Sequence, residues 1–130
     1  MPEATATRRG PGRVLIAVYA VFAVAATSRA AVQIATRYDD APLAYTLSAT
    51  AALIYVAATV ALARSTRLSR RIAVAACSTE LAGVLAIGAF SYAAPEHFPD
   101  ATVWSHFGQG YLFIPVVLPV LGLLWLRRTA

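Results

Sequence analysis

The nineteen residues from Ile72 to Phe90, IAVAACSTELAGVLAIGAF, are apolar enough to lie in hydrocarbon, yet they carry a carboxylic acid, Glu80. An ionised acid at the centre of a bilayer costs on the order of 2.5–3.5 kcal/mol on insertion scales. The neutral acid costs less and donates a hydrogen bond. Two kinds of chemistry follow. A neutral Glu80 can tie helices together as a structural donor. An acid that exchanges its proton or binds a cation can serve a transport path. At 1.5 Å per residue, Glu80 lies ~12 Å beyond Ile72. Equal depth along the other apolar segments reaches Tyr19, Phe22, Tyr55 and the Leu118–Pro119 pair, so Tyr19 and Tyr55 are the candidate partners of Glu80.

A second set of polar residues accompanies Glu80. Arg29 shares a helix face with Ala26, Gln33 and Thr36. It can snorkel to the nearer surface, bind an anion, or pair with Glu80 across a depth gap of ~10 Å. The segment PEHFPDATVWSHFGQGY holds Glu96, His97, Asp100 and His106. His106 is a candidate acid–base group, and His97, Asp100 and His106 could together face the outer mouth of a bundle. Their spacing is not that of a metal site, so no metal is expected. Cys77 is the single cysteine, which excludes a disulfide framework within the chain. No nucleophile elbow, zincin helix, phosphate loop or dinucleotide fingerprint is present. No cofactor is expected.

The elements that must position these residues are membrane-spanning helices. Of the 130 residues 59% are hydrophobic and 13% charged, against about a quarter charged in soluble domains. Crossing hydrocarbon takes roughly 20 apolar residues, and four segments qualify: about 14–35, 42–63, 72–94 and 107–126. Open sheets would leave backbone groups unpaired in lipid. The fold class is therefore all-α, a membrane-embedded antiparallel four-helix bundle over residues 14–128. Residues 1–13 are read as a disordered cytoplasmic N-terminus.

All eleven basic residues are arginines, and they are unevenly placed. Arg8, Arg9, Arg13, Arg64, Arg67, Arg70, Arg71, Arg127 and Arg128 flank one side. The other side has Arg37 with Asp39, Asp40, Glu96 and Asp100. The positive-inside rule then puts both termini in the cytoplasm of a multi-pass protein of the cytoplasmic membrane. Arginines used in this way contact lipid headgroups and do not imply nucleic acid. An alternative reading takes the first apolar run as a signal peptide cleaved after Ala30, which would leave three spans.

Helices in lipid associate through small residues. Ala44, Ser48 and Ala52 recur every fourth residue in the second span, as do Ala75, Thr79 and Gly83 in the third. Pro115 and Pro119 should kink the fourth span and free the carbonyls of Tyr111 and Pro115. Trp104, Phe107 and Tyr111 suit an aromatic belt at the membrane interface.

The runs SRAAVQIATRYDDAPLAY, FPDATVWSHFGQGY and LPVLGLLWLRR resemble a small four-span integral membrane family of high-GC Gram-positive bacteria. The resemblance covers most of Ser28 to Arg128 and implies topology rather than an activity. The residues support first a non-enzymatic accessory or interaction subunit, in a larger membrane complex or a homo-oligomer. The alternative is a small proton- or cation-coupled transporter built on Glu80, with Arg29, Gln33, Tyr19 and Tyr55 around it. The third is a membrane enzyme acting on a lipid or quinone near His106.

Overall fold

A computed structural model describes residues 10–64, 66–97, 102 and 104–129. Among these the chain is all-helical, with four main helices: α1 Pro11–Arg37, α2 Pro42–Ala63, α3 Arg67–Ala93 and α4 Ile114–Arg128. Three short 3-10 turns, Tyr38–Asp40, Pro95–His97 and Ser105–Tyr111, fill the connections. The first three helices are each long and apolar enough to cross a membrane.

The helix ends follow local chemistry. Pro11, Pro42 and Pro115 stand in the first turns of α1, α2 and α4, where a missing N–H leaves no bond unmade. Thr66 opens α3 by accepting a 3.0 Å hydrogen bond from the Ser69 amide, while Ser69 Oγ accepts one from the Thr66 amide. This reciprocal cap starts α3 at Arg67, five residues before the apolar run. A helix runs to its cap, whereas an apolar stretch marks only the part suited to hydrocarbon. For the same reason α1 begins at Pro11, inside the segment expected to be disordered. Residues 1–9 lie outside the described residues.

The fourth segment departs most from expectation. Its regular helix has 15 residues, ~22 Å long, and starts at Ile114 rather than near residue 107. His106, Phe107 and Gly108, then Leu112 and Phe113, all have positive φ between 53° and 82°, which breaks the right-handed helix. Pro115 stands in the first turn of α4, where its missing N–H leaves no bond unmade, so it marks a start and not a mid-helix kink. Only Pro119 lies in the helix interior.

Neighbouring helices pack in chain order, α1 on α2, α2 on α3 and α3 on α4, whereas α1 and α4 approach each other at few points. The buried face of α2 includes Ala44, Ser48 and Ala52, the stripe expected from the sequence. On α3 the buried face is instead Ala73, Ala76, Cys77, Glu80, Val84 and Gly88. Ala75 and Thr79 point outward. Arg70, in the first turn of α3, donates to the Leu126 carbonyl at 2.9 Å and the Thr129 hydroxyl at 3.0 Å. A cation there satisfies the carbonyl end of α4.

The segment between α3 and α4 folds back onto α3. Trp104 lies against Gly83 and Phe107 against Gly88, each where a β-carbon would collide with the ring. Ser91 Oγ accepts from the His106 amide at 2.8 Å and holds the left-handed turn to the end of α3. Trp104 is only 5% exposed, so it belongs to the interior and not to an interfacial belt.

This packing has a direct test. Gly88→Leu should lower the thermal midpoint of the purified protein by an amount equivalent to about 1–3 kcal/mol, the usual cost of overfilling. Phe107→Ala in the same chain should recover part of that loss by clearing the seat. An unchanged midpoint for Gly88→Leu would contradict the packing.

Candidate functional site

Glu80 sits on the inner face of α3 with no exposed surface, and Cys77, one turn earlier, is equally buried. The three-residue spacing puts both on one face. Tyr19 reaches them from α1. Its hydroxyl donates to Glu80 Oε2 at 3.1 Å and lies 3.4 Å from Cys77 Sγ. One hydroxyl proton cannot serve both neighbours. With that proton on the Glu80 bond, the Cys77 thiol must be the donor to the Tyr19 oxygen. A directed chain results, from Cys77 to Tyr19 to Glu80.

Space for the chain comes from α4. A β-carbon on Gly122 would lie 2.8 Å from Cys77 Sγ and 3.4 Å from the Tyr19 hydroxyl. Any larger residue at 122 would push the thiol and the phenol aside. Tyr55, from α2, completes the wall. Its ring stacks edge-on against Phe22 at 4.8 Å and lies 6.1 Å from the Tyr19 ring. The Tyr55 hydroxyl lies next to both Glu80 and the Trp104 indole, but it, Trp104 Nε1 and Glu80 Oε1 make no well-aligned hydrogen bond. Three buried polar atoms from three parts of the chain are thus left without partners. Such groups ordinarily find a buried water or another small polar occupant.

The remaining candidates lie elsewhere. Gln33 is 14 residues along α1 from Tyr19, ~21 Å away. It is 1% exposed with both amide atoms unpartnered. Arg29 is exposed and lies over the Tyr111 ring, with its guanidinium carbon 5.3 Å from the ring centre. This cation–π contact takes the place of a pair with Glu80. Tyr111 in turn packs edge-on against Phe22 at 5.4 Å. The Pro115 carbonyl is not a partner of Glu80, whose one hydrogen bond is to Tyr19. His106 presents its ring edge-on to Tyr92 at 4.7 Å. His97 ends the turn Pro95–His97, and Asp100 lies outside the described residues. Among the described residues no three His, Cys, Asp or Glu side chains gather as a metal site.

Sequence reasoning underrated Cys77, Trp104 and Gly122. The Cys77–Glu80 spacing was a readable signal. Gly122 is the one glycine within α4, a weaker one. Nothing local to Trp104 says that its ring turns inward.

No family model, no curated protein and no solved structure matches this chain.

Tyr19→Phe keeps the ring and removes the hydroxyl. It should destabilise the protein by about 0.6 kcal/mol and at most about 1.7, the range for hydrogen bonds inside membranes. Glu80→Leu should cost a similar amount, and Glu80→Gln little, because an amide oxygen still accepts from Tyr19. In reversible unfolding from mixed micelles, Tyr19→Phe with Glu80→Leu should cost less than the two single changes added together. Strict additivity would show that the pair is not coupled.

Proposed function

We propose that this chain is a multi-pass protein of the cytoplasmic membrane, an antiparallel four-span bundle with both termini and the Arg64–Arg71 segment in the cytoplasm. It acts as a non-enzymatic accessory subunit that seats a transmembrane helix of a partner, another protein or a second copy, against α1 and α2. Three long apolar helices support the membrane setting. The cap that Arg70 forms on the end of α4 supports the antiparallel arrangement, since it joins the start of one helix to the end of the next. In this reading the fourth crossing is α4 together with the turn 105–111 packed on α3.

The carrying observation is a groove of about 340 Å³ between α1 and α2, lined by Ala20, Ala23, Val24, Thr27, Ser28, Val56, Thr59 and Val60. Its lining is small and hydroxyl-bearing apart from three valines. Helices in lipid gain from close backbone approach and interhelical hydrogen bonds, and small and hydroxyl residues provide both. The polar cluster around Glu80 is sealed from solvent. Neither Glu80 nor His106 lines this groove or the two hollows beside α4.

Cysteines placed at Val24 and Val60 should cross-link to a second chain in native membranes, whereas one at Leu53, exposed but outside the groove, should not. Free modification of all three sites, with no adduct, would refute the docking. Reporter fusions at Ala130 and beside Asp39 should place them on opposite sides, with Ala130 in the cytoplasm. An external Ala130 would refute this topology, and a mature chain beginning at residue 31 would restore the three-span alternative.

One observation favours a second reading, that Glu80 binds a proton or cation during transport. Its Oε1, the Tyr55 hydroxyl and Trp104 Nε1 are buried without partners, as an exchangeable site would leave them. Reconstituted protein would then take up or release protons in a manner abolished by Glu80→Gln. Silence in that assay leaves Glu80 as a structural acceptor for Tyr19.

A further inference from the structure

The sparse contact between α1 and α4 leaves a seam on the opposite flank from the α1–α2 groove. Two hollows of about 580 and 510 Å³ share Val14, Val18 and Ile114 and so adjoin, together making up a trough along the seam. Along α1 it runs from Pro11 to Ala25, ~21 Å at 1.5 Å per residue. One leaflet of hydrocarbon is ~15 Å deep. The trough therefore spans the whole leaflet on the side of the arginines and passes the midplane.

Its lining differs in kind from the α1–α2 groove. Valine, leucine and isoleucine dominate and no hydroxyl residue takes part; Arg128 and Trp125 line the larger hollow and Arg13 the smaller. Branched aliphatic walls hold neighbouring backbones apart, which suits a flexible chain better than a rigid helix. The charges are one-sided. Among the described residues the acids are Asp39, Asp40, Glu80 and Glu96. The two in the turn after α1 and the one after α3 are at the other end of the bundle, and Glu80 is enclosed in the core. Arg70 covers the carbonyl end of α4, which would otherwise repel an anion. The first turn of α1 adds the positive end of a helix.

We propose that the α1–α4 seam binds an anionic phospholipid of the cytoplasmic leaflet, with one acyl chain along Val14, Val18, Val117 and Leu121 and its phosphate between Arg13 and Arg128. The site rests on the membrane reading given above and does not depend on the helix groove on the other flank. The chain contributes apolar contact along the trough, and the two guanidinium groups provide the preference for a negative headgroup.

Native mass spectrometry of the full-length protein, released from mild detergent with phosphatidylglycerol or phosphatidylcholine of identical chains, tests this. The expected result is about thirtyfold greater retention of phosphatidylglycerol, roughly what two interfacial arginines provide. Arg13→Gln with Arg128→Gln should reduce it to the phosphatidylcholine level. Arg67→Gln, an exposed arginine outside the seam, should leave it unchanged. Leu121→Trp, which fills the trough, should lower retention of both lipids. Inorganic phosphate in excess should not displace the lipid, because the acyl chain supplies most of the contact. Equal retention of the two lipids, or an unaltered preference in the double arginine variant, would overturn the proposal, as would lipid-free dimers joined through the seam. Size-exclusion profiles and circular dichroism separate these outcomes from misfolding. Topology fusions that keep Ala130 cytoplasmic while lipid preference is lost would sink this site alone and leave the membrane reading standing.

Discussion

The hydrogen bond from Tyr19 to Glu80 is the constraint on which the arrangement of the bundle turns. Helices α1 and α3 are diagonal neighbours whose backbones hardly meet, since α2 stands between them on one side and α4 on the other. A tyrosine is long enough to cross that distance, and a carboxyl group is a strong enough acceptor to hold it. Once both are buried, each is expensive to leave without the other. The residues around them are accordingly small. Cys77 and Gly122 leave room for the phenol, and Ala73 and Ala76 let α3 lie close to its neighbours. A bundle held by apolar contacts alone could slide in register. A single polar tie across the diagonal fixes which turn of α1 faces which turn of α3.

The two flanks of α1 differ in side-chain size, which on the proposed membrane reading sorts what surrounds the helix. Toward α2 the surface is alanine, threonine and serine, and the backbones come close. Toward α4 it is valine and leucine, and the backbones stay apart. Lipid tails are as apolar as leucine, so no hydrophobic force closes the second gap. What fills each flank follows from the packing that each allows.

Much of this architecture was legible in the sequence. The first three helices, the second to the residue, follow from apolar length. The stripe of Ala44, Ser48 and Ala52 was visible because every fourth residue was small. Depth counting from Ile72 brought Glu80 level with Tyr19, and rigid helix geometry made that count dependable. On the α3 stripe only Gly83 packs within the chain, against Trp104, while Ala75 and Thr79 face outward. Size alone does not tell which of two small faces turns inward. The residues from 104 to 113 were not legible either. Their left-handed turn depends on Gly83 and Gly88 making seats for Trp104 and Phe107, a contact between positions about twenty residues apart. Aromatic composition pointed to a membrane interface, whereas complementarity of shape took Trp104 inside.

That inward turn and the polar tie bear on each other. Trp104 rests on Gly83, one turn of α3 beyond Glu80, and its indole lies beside Tyr55, which in turn neighbours the acid. Positive φ at His106 and Phe107 costs on the order of 1–2 kcal/mol per residue. The packing of two large rings offsets that cost, as does the bond from the His106 amide to Ser91. The loop is thus held in a strained shape by the same interior that it covers.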